Sequence, residues 1–220
     1  MAVKVSTLKI DVGDMGHITN TYIVYDDDTR NGIVIDPADK HQYIIEKVNE
    51  LGLNIQKIYL THCHFDHIGA LEKFSKWANA KVHIHKNDKE GIFDTQKNCN
   101  YIIQGDNFAS LKEEDIIGVK EGEYITVDDI NLEVIHTPGH TNGSSILYEK
   151  NLKILFTGDT IFSDCYGRTD LKSGSQSDMV YTIEKVFGRF KDIQIYPGHG
   201  KSVNIEEAKR KINLLLAMKN

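Results

Sequence analysis

The chain has 220 residues, 40% of them hydrophobic and 26% charged, with a formal net charge of -6. A length of this order lets one α/β or two-sheet domain bury a sizeable core, so a single domain spanning 1–220 is the starting expectation. The acidic balance, with no block of basic residues, argues against nucleic acid as a partner. No run approaches the roughly 18 apolar residues of a membrane span or the apolar core of a signal peptide, so the expectation is a soluble, cytoplasmic protein without a membrane partner. Cys63, Cys99 and Cys165 are odd in number and scattered, which reads as reduced thiols rather than a disulfide or zinc knuckle.

In chain order, the opening residues alternate apolar and polar as a strand does. TYIVYD (Thr21 to Asp26) and GIVIDP (Gly32 to Pro37) form a predicted hairpin across a turn-rich link. Asp39 to Gly52 has helical spacing, an acidic start and a terminal glycine, so a helix capped at both ends is expected. IQKIYL (Ile55 to Leu60) is a strand, His67 to Asn79 a helix, and KVHIH (Lys81 to His85) a strand. Residues 87–121 lack clear periodicity and read as an insertion or lid. Strand signals resume at Glu123 to Val127, Asn131 to His136, Ser144 to Glu149 and Lys153 to Gly158. A helix over Ser177 to Phe190, a strand over Ile193 to Gly198 and a closing helix from Asn204 complete two βα-rich halves.

Between the third strand and its helix, YLTHCHFDHIGA packs His62, His64, Asp66 and His67 into six residues. Crowded imidazoles repel when protonated and rarely all find partners when neutral, so a bound cation is the simplest resolution. Three later motifs also end predicted strands: TPGHT with His140, FTGDT with Asp159 and YPGHG with His199. In each, a glycine before the functional residue lets the chain turn sharply. Seven donors exceed the need of one tetrahedral ion; two adjacent ions use all seven if one carboxylate bridges. Cys63 alternates with His62 and His64 and would point away from both, so it is not expected to be a ligand.

The ordered pattern THxHxDH, GH, GDT and PGHG resembles the metallo-β-lactamase fold superfamily over nearly the whole chain. The resemblance implies an αββα sandwich, two sheets packed face to face with helices outside. It also implies a dinuclear site in which His62, His64 and His140 hold one ion, Asp66, His67 and His199 hold the other, and Asp159 bridges. Asp36 in IDPAD would brace a ligand, although Ala38 stands where the family usually has glycine. Within the superfamily, β-lactamases generally lack the bridging aspartate, di-iron oxygen reductases carry HxExD, and nucleases add RNA-binding extensions. GRTD (Gly167 to Asp170) is similar to the glyoxalase II-like branch, which implies hydrolysis of a small-molecule thioester by a metal-bridging hydroxide that Asp66 orients. The two divalent ions would be zinc, with iron or manganese as alternatives. Alternatives in activity are a mononuclear iron persulfide dioxygenase, whose last motif tends to read PAHDY, and a hydrolase of another ester or lactone. A binding module with a purely structural metal is disfavoured, since such sites are closed by protein ligands.

Around this set, Tyr166 and Arg168 are candidates for substrate binding, with a guanidinium fork suited to a carboxylate. An internal salt bridge from Arg168 to Asp170 or Asp164 is the equal competitor. His136 would brace a ligand through its second nitrogen. His83 and His85 are expected to serve packing or the surface, and His17 and Asn20 could line the mouth of the site.

Overall fold

The computed structural model describes residues 3–102, 108 and 110–219. Strands β1 (Val3–Val12), β2 (His17–Asp26), β3 (Asn31–Ile35), β4 (Asn54–Leu60), β5 (Lys81–His85) and β6 (Ile116–Val119) form one sheet in that spatial order. The first three pair antiparallel, β2 with β3 as the hairpin signal predicted, and β3 to β6 run parallel. The second sheet runs β12 (Val203–Asn204), β11 (Gln194–Pro197), β10 (Ile154–Gly158), β9 (Ser145–Glu149), β8 (Ile130–His136) and β7 (Tyr124–Val127).

Strand periodicity explains how the layers stack. On β2, Tyr22 and Val24 face the second sheet, while Ile23 and Tyr25 face outward; on β4, Tyr59 faces in, and Ile58 and Leu60 face out. With both faces covered, these strands read as continuous apolar runs. The inward residues meet Leu132, Val134, Leu147 and Phe156 of the second sheet. Outside the first sheet lie α1 (His41–Glu50) and α3 (Leu71–Ala78); outside the second lie α4 (Gln176–Arg189) and α5 (Ile205–Lys219). Three apolar clusters thus separate four layers, the αββα arrangement. Each fully buried Ile, Leu or Phe contributes roughly 1.5–3 kcal/mol of transfer free energy. Among the described residues no helix is long and apolar enough to cross a membrane.

Three local expectations change. The helix foreseen over His67 to Asn79 is split into α2 (Phe65–Ile68) and α3, because Gly69 lies against the Ala38 carbonyl, where any Cβ would collide, and the Ala70 N–H donates to Pro37 O. At the start of α1, Asp39 provides no helix cap. Its carboxylate accepts from Gly13 N–H and from Lys40 N–H, tying down the β1–β2 turn. The 87–121 segment is not a simple insertion: Asp88, Ile92, Asn98 and Cys99 are buried, and its end supplies edge strand β6. Residues 103–107 and 109 of that expectation lie outside the described residues.

Candidate metal centre

The parallel pairing of β3 with β4 sets the C-terminal ends of these strands side by side, which brings Asp36 against the loop that follows Leu60. Asp36 takes a left-handed backbone, φ 50°, and is buried. Its Oδ1 accepts from Thr61 N–H at 2.7 Å. Its Oδ2 accepts from Thr61 Oγ1 at 2.7 Å and faces His67 Nδ1 at 2.9 Å. His62 Nδ1 lies 3.1 Å from Thr61 Oγ1. Across the seam, His140 follows β8, Asp159 follows β10 and His199 follows β11. His140 Nδ1 donates to Arg168 O at 2.7 Å and His199 Nδ1 to Ile18 O at 2.7 Å. With Nδ1–H engaged, each ring turns its Nε2 inward, the usual way an outer partner orients a metal-binding imidazole.

The inward atoms converge. His64 Nδ1 is 2.8 Å from His140 Nε2. Asp159 Oδ1 is 3.2 Å from His67 Nε2, while its Oδ2 is 3.6 Å from His140 Nε2 and 3.4 Å from His199 Nε2. Asp66 Oδ2 is 3.2 Å from His199 Nε2. Three triads have donor atoms within 4.8 Å of one another: His62, His64 and His140; His62, His67 and Asp159; and His17, Asp66 and His199. The first coincides with one expected ligand set. The members of the other expected set, Asp66, His67 and His199, divide between the second and third triads, so His67 groups most tightly with His62 and Asp159. Gly198 lets the last motif close on this cluster, because a Cβ there would run into Asp159 Oδ1 and the His67 ring.

The donors fit divalent cations. Of the six buried side-chain polar atoms without a hydrogen bond among the described residues, four belong to these donors: His62 Nε2, His67 Nε2 and Asp159 Oδ1, and also His64 Nε2, although that ring turns its Nδ1 to His140. Such atoms are costly to bury unpaired. Electrostatics agree. Burial, with help from neighbouring imidazoles, drives His62 well below its ordinary range and His64 down to about 3, leaving both as neutral donors. Burial opposes charge at the other four groups as well, and the charges facing one another overcome it. Asp66 and Asp159 are held well below the usual carboxylate range, with His67 the chief charge acting on the former and His199, then His67, on the latter. Asp159 and Asp66 in turn hold His67 well above its ordinary value and push His199 up to about 10. Protons on those rings balance two buried carboxylates, and a metal ion would replace them.

Several residues have roles that sequence patterns do not carry. His17 places Nε2 2.8 Å from Asp66 Oδ2. Asn20 donates to the carbonyls of Pro197 and Gly200, fixing the loop that carries His199. Buried Asp88 accepts from Cys63 N–H, Thr141 Oγ1 and Gly143 N–H, joining the loop of His62 and His64 to that of His140. Each is a single polar residue with a remote partner; of the two expected at the mouth of the site, His17 lines the cleft and Asn20 is buried behind the loop, and Asp88 was not among the sequence candidates.

Other candidates fall outside the donor set. Cys63 is buried in the outer core of the first sheet. His136 does not touch a ligand ring; its Nε2 lies 2.8 Å from Asn142 O and its ring stacks on His85 at 3.9 Å, since β8 turns it toward β5 rather than inward. His83 is buried with Nδ1 near Ile58 O, a packing position. The Tyr166 ring packs on the α4 core and its hydroxyl accepts from Gln176, away from the cleft over the centre. Arg168 borders that cleft, but its guanidinium forms a two-pronged pair with Asp170, Nε to Oδ1 and Nη2 to Oδ2, each 2.7 Å.

Comparison with known proteins agrees with this geometry. The model of the metallo-beta-lactamase superfamily matches residues 15–199. The chain is 32% identical over 187 residues to a probable metallo-hydrolase, YqgX, of Bacillus subtilis (strain 168), covering 84% of this chain and 87% of that one. It is 30% identical over 192 residues to hydroxyacylglutathione hydrolase GloC of Haemophilus influenzae (strain ATCC 51907 / DSM 11121 / KW20 / Rd), covering 87% and 90%. Among solved structures, the BLEG-1 B3 metallo-beta-lactamase superposes with a TM-score of 0.84 at 28% identity, covering 96% of this chain and 99% of that one.

Proposed function

The chain belongs to the metallo-beta-lactamase superfamily, and from that premise we propose that it is a dinuclear, metal-dependent hydrolase of small-molecule thioesters. The observation that carries this reading is Asp159, whose carboxylate lies within 3.6 Å of ring nitrogens from both ligand sets, His140 of one and His67 and His199 of the other. His62, His64 and His140 would hold one ion, and Asp66, His67 and His199 the other. Two divalent ions, zinc in the first instance, would supply an acidified water and polarise a carbonyl oxygen. GRTD and the relationship to GloC support a thioester as the substrate.

The chain's own groups account for the remaining chemistry. Asp66, held ionised by its imidazole neighbours, would orient the attacking water by accepting its hydrogen bond. The outer partners Asp36, Arg168 O and Ile18 O fix ring orientation, so little reorganisation accompanies attack. A thiol leaving group, with a pKa of about 8.5, departs as thiolate without a strong general acid. The test is metal content of protein purified without added metal, paired with a thioester hydrolysis assay. Near two ions per chain with metal-dependent hydrolysis is the expected result. One iron per chain with oxygen consumption on a persulfide, and no hydrolysis, would refute it.

A further inference from the structure

The centre opens into a cleft of about 410 Å³. Beside the metal-binding side chains, the described wall has an apolar side of Met15, Phe65, Phe162 and Leu171 with Cys99, while His17, Gly167 and Arg168 complete it. Phe65, Phe162 and Leu171 are half-buried, so part of each apolar surface already faces the cleft, and Phe162 lies 5.9 Å from the His199 ring. Among the described lining residues the only Lys or Arg is Arg168, and Asp170 occupies its fork. What Arg168 gives to the centre is its backbone carbonyl, which accepts from His140. A side-chain partner for an acidic substrate is therefore already engaged, and the ions the centre would hold are taken up by their ligands, the attacking water and the scissile carbonyl. A carboxylate on the flanking group would lose water against the apolar wall with no unengaged Lys or Arg among the described lining residues to receive it, whereas an apolar chain gains from the same burial.

We infer that the substrate group seated in this cleft, next to the scissile carbonyl, is a neutral, apolar chain rather than an anionic one. The inference rests on the thioester hydrolase reading for which bond is cleaved, but not for what the cleft binds. Two paired series test it on the metal-loaded protein. One compares hexanoyl with adipoyl thioesters of N-acetylcysteamine. The other compares acetyl thioesters of hexanethiol and 6-mercaptohexanoate. The neutral member is expected to lead by roughly tenfold or more in kcat/KM in one series, and that series identifies the flank in the cleft. Leu171→Lys, which adds a cation to a half-buried wall position, is expected to shrink or reverse that lead.

Calorimetry with the corresponding non-hydrolysable amides, sulfur replaced by NH, separates the two readings. If no thioester is cleaved yet a neutral amide binds more tightly than its acidic partner, the cleft assignment stands and the thioesterase reading falls. Equal or tighter binding of the acidic member in both series overturns the inference whatever the turnover.

Discussion

Replacing Asp88 by alanine probes how far the centre depends on a residue that touches no donor atom. Asp88 is buried, and its two oxygens take three hydrogen bonds: Cys63 N–H at 3.2 Å, Thr141 Oγ1 at 2.7 Å and Gly143 N–H at 2.7 Å. Thr141 Oγ1 retains Ser144 Oγ at 2.7 Å, so the loss falls on the two backbone donors. A buried donor deprived of its acceptor costs about 1–3 kcal/mol, giving about 2–6 kcal/mol for the pair. Part is returned, because burial pushes the Asp88 carboxyl up and alanine relieves that desolvation. The expected net loss is about 2–4 kcal/mol, a large share of the roughly 5–15 kcal/mol of a typical domain. Urea unfolding of metal-stripped protein measures it without the contribution of bound ions. Asp88→Asn should fall between, since its amide oxygen keeps an acceptor while its NH2 confronts a donor. A loss under about 1 kcal/mol for Asp88→Ala in stripped protein would refute the bridging role.

Asp159→Ala should lower metal content from about two ions per chain toward one and reduce hydrolysis by orders of magnitude; two retained ions with intact turnover would remove it from the bridge. Ion binding should release protons. The metal-free cluster keeps His199, with a pKa of about 10, and His67 protonated at neutral pH, whereas His62 and His64 are already neutral. Apparent affinity should therefore rise with pH between about 6 and 10, and pH-stat titration at pH 7 should record net acid on zinc addition; none would contradict the assignment. Cys63→Ser should keep both metal and activity while costing about 1 kcal/mol for a hydroxyl placed in an apolar core. Metal analysis beside a melting curve separates these effects.

The seven donors were legible because each sits at a strand end, in a dense run or behind a glycine, so short spacing stood in for three-dimensional proximity. Strands with both faces covered were equally plain, as in TYIV and KILF. Edge strand β6 was not: IIGV is four residues long, carries Gly118, and is half exposed, so neither alternation nor a buried run marks it. The bracing bonds of Asn20 and Asp88 were illegible for another reason. Their partners lie 177 residues away at Pro197 and 55 away at Gly143, and a lone polar residue in a strand or loop carries no mark of what will meet it. Arg168 shows the limit of motif reading: GRTD specified a guanidinium near the centre, yet its neighbour two positions on decides where that charge goes.

The donors are divided by sheet, with His62, His64, Asp66 and His67 in the first and His140, Asp159 and His199 in the second. During synthesis the first four emerge long before the bridge at Asp159 or the last ligand near the end of the chain exists. The early half holds three imidazoles and one carboxylate, which alone would give only weak, exchangeable capture of an ion. Tight retention would begin only when the second sheet docks and His199 arrives, so loading of the centre would report that both sheets have come together.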